Sequence, residues 1–551
     1  MKRFKLNIII AGALTLGLFS SCSDSFLTTV PKTSLLDENF YKTEADAEMA
    51  LVGCYDGYQL TSSGFPIYLV AEVASDECFG GTGANDGRGY QMIDRLDKSQ
   101  SPADNNVFND TWIKYYKGIF RCNNLLQKLP GIAKWNSSND TVNNITKKRI
   151  EGETRFIRAL MYFDLVRMFE NIPLLAAPST ANIPQANPTD VYKLIASDLK
   201  FAAENIPANA YPKAQSATND GRVTRYAAEA LLARVYLFYT GYYAKDDLGV
   251  TKPEVLAGLE DVVASNEFDT IPYQKLWPAA SYVRVDSTNT LNKSGYAGKG
   301  NKEVVFAQKF NSTSDYNGNT DGNGWLVMMG MRGCNFSPYG KGWGACTVNP
   351  QLVNAYPAGD KRRTASVIDL VGEKDNTGKN IESYFNIPDQ REYTGFTVKK
   401  YTPTALPDGT SDTGGSKDFQ ISQDQDYIQI RYADVLLMAA ELGSPNKIAY
   451  FNKVHQRAGL PAVTSVSLSD IQTERRFEFA FEGIRYWDLL RTGMDNAANA
   501  IAASAQTVKS AGVADNVTYD VTKIKATRGF MQIPNTQITL SGGVLKQNPG
   551  W

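Results

Sequence analysis

The chain has 551 residues, 43% of them hydrophobic and 21% charged, with a formal net charge of -1. That composition suits a globular protein long enough for a large core, and so even a balance of charge excludes the basic field that nucleic acid or an anionic surface would require. The 44 glycines, 29 tyrosines and 7 tryptophans point instead to loops and to aromatic surface that can stack or pack.

Lys2, Arg3 and Lys5 precede an apolar run from Leu6 to Leu18, which is too short for a membrane span and has the form of a secretory leader. It ends Phe19-Ser20-Ser21-Cys22. Small residues before a cysteine resemble a bacterial lipobox, so residues 1–21 are expected to be a lipoprotein signal peptide, with Cys22 acylated. The polar tether Ser23-Asp24-Ser25 follows. From Phe40 to Tyr58 the pattern is helical, with Ala45, Met49, Val52 and Gly53 on one face of a packing helix.

Ala74 to Tyr90 then carries five glycines, too many for a regular element, so neighbours or a ligand must order it. No strand precedes these glycines and no Lys-Ser/Thr follows, so they do not form a phosphate cradle. Asn85, Asp86, Arg88 and Tyr90 offer hydrogen-bonding groups and one ring. Helical periodicity returns from Asn105 to Leu129 and from Ile145 to Phe169, where Phe156, Ala159, Tyr162, Phe163, Val166 and Phe169 line one side. It continues through Asp190–Ile206 and Arg225–Tyr243, the latter through Ala227, Ala230, Leu231, Ala233, Val235 and Phe238. Antiparallel helix pairs stacked side by side bury each other's apolar faces.

Between about Thr270 and Asp426 this pattern fails. Glu303–Ala307 and Phe396–Tyr401 read as strands among stretches rich in Gly, Asn, Ser and Asp. Asp315 to Gly324 places oxygens at alternate positions, but Thr320 and Leu326 stand where an EF-hand needs glycine and glutamate, so that site is rejected and no metal is assigned. Tyr316, Trp325, Phe336, Tyr339 and Trp343 cluster here beside Arg332 and Asn335. A sugar has an apolar C–H face and a rim of hydroxyls, and flat rings beside amide, carboxylate or guanidinium groups match both. Tyr316, Trp325, Arg332, Asn335, Tyr339 and Trp343 are therefore the candidates from this segment.

Asp426–Leu442 reads as a helix with Val435, Met438, Ala439 and Leu442 on one face. A second runs through Tyr450, Val454 and Ala458 to Gly459-Leu460-Pro461. A third starts at Ser469, with Gln472 completing a capping box, and runs to Gly483. It carries Glu474, Glu478 and Glu482 at four-residue spacing, a like-charge stripe that needs Arg475, Arg476, Arg485 or Arg491 beside it. An acid–base pair for glycoside hydrolysis is the alternative use of these glutamates.

The run from Glu474-Arg475-Arg476-Phe477-Glu478 through Ile484-Arg485-Tyr486-Trp487-Asp488 to Gly493 resembles the signature segment of the RagB/SusD family. Ile430-Arg431-Tyr432-Ala433-Asp434-Val435-Leu436-Leu437, Glu153 to Leu165 with Ile172-Pro173-Leu174, and the closing Gln547-Asn548-Pro549-Gly550-Trp551 resemble further family blocks, with Trp551 where relatives usually have tyrosine. The resemblance implies a mainly α fold: a tetratricopeptide-like helix-pair scaffold with a loop-rich insertion containing short strands. It also implies a cell-surface lipoprotein, lipid-anchored in the outer membrane, that captures polysaccharide or oligosaccharide and passes it to a SusC-like TonB-dependent transporter, without cofactor or catalysis. A surface glycosidase and a peptide- or protein-binding helical scaffold are the alternatives. The expected divisions are 22–269 (N-terminal helical region), 270–425 (ligand-binding region) and 426–551 (C-terminal helical region).

Besides Cys22 there are Cys54, Cys78, Cys122, Cys334 and Cys346, without a CxxC pair, so no metal or redox motif. An oxidising compartment permits a Cys334–Cys346 bridge. His455 is the only histidine and its helical context argues against a Ser-His-Asp triad.

Overall fold

Amphipathic helices bury their apolar stripes against one another, and that is how the chain folds. A computed structural model describes residues 40–62, 64–215, 221–285, 290–334, 336–374 and 378–551; the leader, Cys22 and Asn335 lie outside the described residues. The helices are α1 (Glu44–Gln59), α2 (Asn109–Lys128), α3 (Asp140–Phe169), α4 (Pro188–Asn205), α5 (Arg225–Tyr243) and α6 (Lys252–Ala264), followed later by α7 (Tyr432–Glu441), α8 (Lys447–Arg457) and α9 (Leu468–Glu478). Each from α1 to α7 packs on the next, and α7 packs on α8 and α9.

Local chemistry fixes the helix starts. Thr43 and Asp46 close a capping box on α1, Asn139 caps α3, Asn187 caps α4 ahead of Pro188, and Thr224 caps α5. The α3 and α5 residues expected on the buried side are buried, and so are Arg158 and Arg167, paired with Asp198 (2.8 Å) and Asp164 (2.7 Å).

Four readings are corrected. On α1 the core face is Ala47, Leu51, Cys54 and Tyr58, whereas Met49 and Val52 are exposed, because α1 carries two apolar stripes and the one with leucine and tyrosine buries more surface. Asp426–Leu442 is not all helix: strand β6 (Tyr427–Arg431) pairs antiparallel with β2 (Val304–Gln308) before α7 begins. The capping box of α9 is Ser467 with Asp470, two residues earlier than expected, and α9 ends at Glu478, because Phe481 and Gly483 have positive φ. The strand expected over Phe396–Tyr401 is Phe396–Val398 only.

One core runs through the helices and takes in Trp277, Trp325 and Tyr401 from the loop-rich region. A small separate cluster of Met331, Tyr339, Ile368, Leu370, Ile381 and Tyr393 lies within that region. Glu474 and Glu478 on α9 and Glu482 just beyond its end are buried, and their cationic partners are Arg362, Arg431, Arg457 and Lys400 in place of the expected Arg475, Arg476, Arg485 and Arg491, which pair with other carboxylates. Arg431 meets Glu303 (2.5 Å), Glu478 (2.9 Å) and Glu482 (2.7 Å), while Arg457 pairs with Glu303 and Glu478, and Arg362 with Asp360 and Glu474. Burial alone would push the Glu478 carboxyl up, but Arg457, Arg431 and Arg362 outweigh it and hold it at about 2. These glutamates are ion-pair partners buried away from solvent, the structural use of the stripe. His455 Nδ1 lies 2.8 Å from Glu474 Oε2 at the edge of the same network.

Candidate functional site

Strand β1 (Cys78–Gly81) pairs antiparallel with β5 (Ala345–Val348), and this pairing brings the glycine-rich segment beside Trp343. The Thr82 N–H donates to the Gly344 carbonyl (2.8 Å). Two glycines are demanded by this approach. Gly81 has φ +69° and a Cβ there would sit 2.4 Å from the Gly344 oxygen, while a Cβ on Gly83 would sit 2.1 Å from the Arg332 guanidinium. Arg332 crosses that gap to Asp86 (2.9 Å), has Asp389 at 3.6 Å, and donates to the Trp343 carbonyl at 3.4 Å.

A parallel pair of short strands, β3 (Met331–Arg332) and β4 (Lys341–Gly342), aligns Met331 with Lys341 and Arg332 with Gly342, and Trp343 follows directly on β4. Trp343 is 41% exposed. Next to β4 is a concavity of about 430 Å³ lined by Lys341, Pro403, Thr404, Thr410, Asp418 and Phe419, among others. Lys341 Nζ stands 4.4 Å over the Phe419 ring, and the Tyr316 hydroxyl, on a ring 71% exposed, donates to Asp418 (2.8 Å). A flat ring beside a fixed guanidinium–carboxylate set can stack on an apolar face and hydrogen-bond a hydroxyl rim, and the concavity adds two further rings and a lysine of the same chemistry.

Of the residues singled out from sequence, Asn85, Asp86 and Arg88 are exposed on the glycine-rich loop, with the Arg88 guanidinium donating to Gln100 (3.1 Å). Arg332 and Trp343 join Asp86 at one place, and Tyr316 stands at the neighbouring concavity. Three do not present a free ring. Trp325 is 1% exposed, wedged among Tyr68, Tyr401 and Tyr427 at centroid distances of 4.7–5.3 Å, because the short helix Gly324–Met329 turns it into the core. Tyr339 is buried in the small cluster and donates to Glu373 (3.0 Å). Tyr90 opens a short helix and lies half-buried against Phe65 (4.8 Å).

Sequence reasoning missed Lys341, Asp389, Asp418 and Phe419, and Arg391 beneath the loop. Their charges and ring sit in the same loop-rich region, but only the folded chain brings Gly344 and residues 389–391 to residues 82–87, and residues 418–419 to Lys341. It also misplaced the cysteines. Among the described residues all five are free; the Cys346 thiol meets Cys78, not Cys334, and Cys122 meets Cys54. Asp315 is engaged by its own loop, accepting from the N–H groups of Asn317 and Asn319. Among the described residues no helix is long and apolar enough to cross a membrane.

Residues 302–551 match the SusD family model, and residues 82–237 match a model described as starch-binding associating with outer membrane. The SusD-like protein P38 of Formosa agariphila is 25% identical over 534 residues, spanning 89% of this chain and 92% of that one. A SusD-like protein of Bacteroides ovatus is 24% identical, spanning 89% and 83%. Among solved structures, a laminarin binding SusD-like protein superposes with TM-score 0.69 at 27% identity, covering 93% of this chain and all of that one. The surface glycan-binding protein A from Bacteroides thetaiotaomicron, in complex with laminarihexaose, superposes with TM-score 0.72 at 20% identity over 93% and 100%.

Proposed function

The chain belongs to the RagB/SusD family, and from that premise we propose that it is a non-catalytic surface glycan-binding lipoprotein that hands polysaccharide or oligosaccharide to a SusC-like TonB-dependent transporter. The observation that carries the sugar-binding reading is the half-exposed Trp343 ring beside the Arg332–Asp86–Asp389 group, in a chain whose similar proteins are named for glycan binding. Sugar C–H groups stack on the indole, the loop side chains Asn85 and Arg88 take hydroxyls, and Tyr316, Lys341 and Phe419 extend contact to further residues of the glycan. A shallow site of this kind is weak per sugar. Several residues of one long chain, and confinement near the transporter, strengthen it. Anchoring by lipid on Cys22 and association with the outer membrane belong to the same proposal, as does the assignment of residues 270–425 as the main ligand-binding region.

Affinity electrophoresis against a panel of polysaccharides that includes laminarin tests binding. Retardation of the wild type by at least one glycan, lost in Trp343→Ala, is the expected result; no retardation by any glycan overturns the reading. Co-purification of the tagged lipoprotein with a TonB-dependent transporter tests delivery, and its recovery alone from solubilised outer membranes overturns that part. Appearance of reducing ends from the retained glycan would replace binder with glycosidase.

A further inference from the structure

Eight residues rich in glycine, 82–89, cannot hold a shape by packing of their own side chains, yet this segment carries Asn85, Asp86 and Arg88. Its support comes from another part of the chain. The buried Arg391 donates to three carbonyls of the segment, those of Ala84 (2.7 Å), Asp86 (2.7 Å) and Gly87 (3.0 Å), and to Gln91 Oε1 (3.2 Å). Its own N–H donates to the Thr82 carbonyl (2.9 Å), and the Ala84 N–H donates back to Asp389 (3.0 Å). The neighbouring Glu392 accepts from the Gly81 N–H (2.9 Å) and Gln91 Nε2 (2.9 Å), and also takes Arg95. This strip is fixed from its other side by the hairpin of β7 (Gln506–Ser510) and β8 (Val513–Val517), through Tyr393 paired with Lys509 and the Glu392 N–H on Ser510 Oγ (3.0 Å).

We infer that Arg391 is a positioning residue for the glycan site: its guanidinium sets the glycine-rich loop in the binding shape before any sugar arrives. The inference rests on the glycan-binding reading and adds to it. A guanidinium presents five N–H donors in a rigid plane, and three of the four hydrogen bonds it makes here go to backbone carbonyls, so one side chain from elsewhere in the chain fixes the path of residues 84–87, with Asp86 adding a bond from the Gly83 N–H (2.8 Å). Asp86 then lies where Arg332 can reach it. Without Arg391 the loop samples other conformers, and apparent affinity falls in proportion to the fraction that remains competent.

The full-length chain and its Arg391→Ala and Arg391→Lys variants decide the matter, with laminarin and the panel glycan that most retards the wild type as probes. If the competent fraction drops to about 1–10%, Arg391→Ala weakens binding roughly 10- to 100-fold. Amide hydrogen exchange at residues 83–89 of the free protein rises, the thermal midpoint moves little because the helical core is untouched, and Arg391→Lys recovers part of the affinity. Wild-type affinity or unchanged exchange in Arg391→Ala overturns the inference. A wild type that binds no glycan overturns the sugar reading instead, and exchange at residues 83–89 still reports separately on whether Arg391 holds the loop.

Discussion

Two arginines do opposite kinds of work in this molecule. Arg431 is buried under the C-terminal helices, surrounded by Glu303, Glu478 and Glu482, and its partners are charges. Arg391 is buried beneath the glycine-rich loop, and most of its partners are backbone carbonyls. A buried charge pair broken on one side leaves uncompensated charge in a low-dielectric core, so damage at Arg431 spreads to the whole fold. Carbonyls released at the surface end of the molecule find water, so damage at Arg391 stays in the loop. The scaffold is held by charge and packing, and the site by the shape of a backbone.

The largest effect expected from breaking this contrast is at Arg431. Arg431→Met takes one cation from each of three buried glutamates, leaving them Arg457, Arg362 and Lys400, and costs roughly 3–5 kcal/mol in urea unfolding, while the folded fraction keeps its glycan affinity. A loss within about 0.5 kcal/mol, the scale of an ordinary surface substitution, would show that Arg457 and Arg362 carry the network without it. The two tryptophans sharpen the same division. Trp325→Ala opens the core among Tyr68, Tyr401 and Tyr427 and costs about 3–5 kcal/mol of stability, whereas Trp343→Ala leaves stability within about 1 kcal/mol. Binding reverses the order: Trp343→Ala loses about tenfold, the worth of one stacked ring, and Trp325→Ala folded at low temperature loses little. Equal loss of binding in both would erase the distinction between plug and platform.

The smallest effect comes from Glu77, where β1 leaves the core. Both of its carboxylate oxygens are buried without a hydrogen bond, with Arg476 at 3.6 Å and Arg485 at 3.9 Å. Burial raises the carboxyl to about 7, against the pull of Arg485. A carboxyl raised on folding favours the folded state below its unfolded pKa, and that advantage is lost as pH rises from about 4.5 through 7. Glu77→Gln removes the dependence, so its stability relative to wild type improves between pH 5 and pH 8 by on the order of 1–2 kcal/mol. Parallel stability curves for the two proteins would mean that Glu77 is solvated or paired after all.

The helical scaffold was legible residue by residue, because a 3.6-residue period, a cap and a glycine stop are written in neighbouring positions. Arg225–Tyr243 shows this, with the predicted bounds and the predicted buried face. Periodicity failed where two elements compete for one stretch: Tyr427–Arg431 became a strand because β2 lay ready to pair with it, and α1 turned its other stripe inward because α2 and α3 were there to receive it. The sequence also determined which chemistry the loop region offers, rings and hydrogen-bonding groups among glycines. Which of those rings faces solvent was decided by tertiary structure alone. Trp325 and Trp343 are eighteen positions apart in similar surroundings, and only the packing of Tyr68, Tyr401 and Tyr427 around one of them, and the crossing of Arg332 beside the other, separates a core side chain from an accessible surface. The rings that bury Trp325 lie about 76 to 257 positions away along the chain, and local sequence carries no record of them.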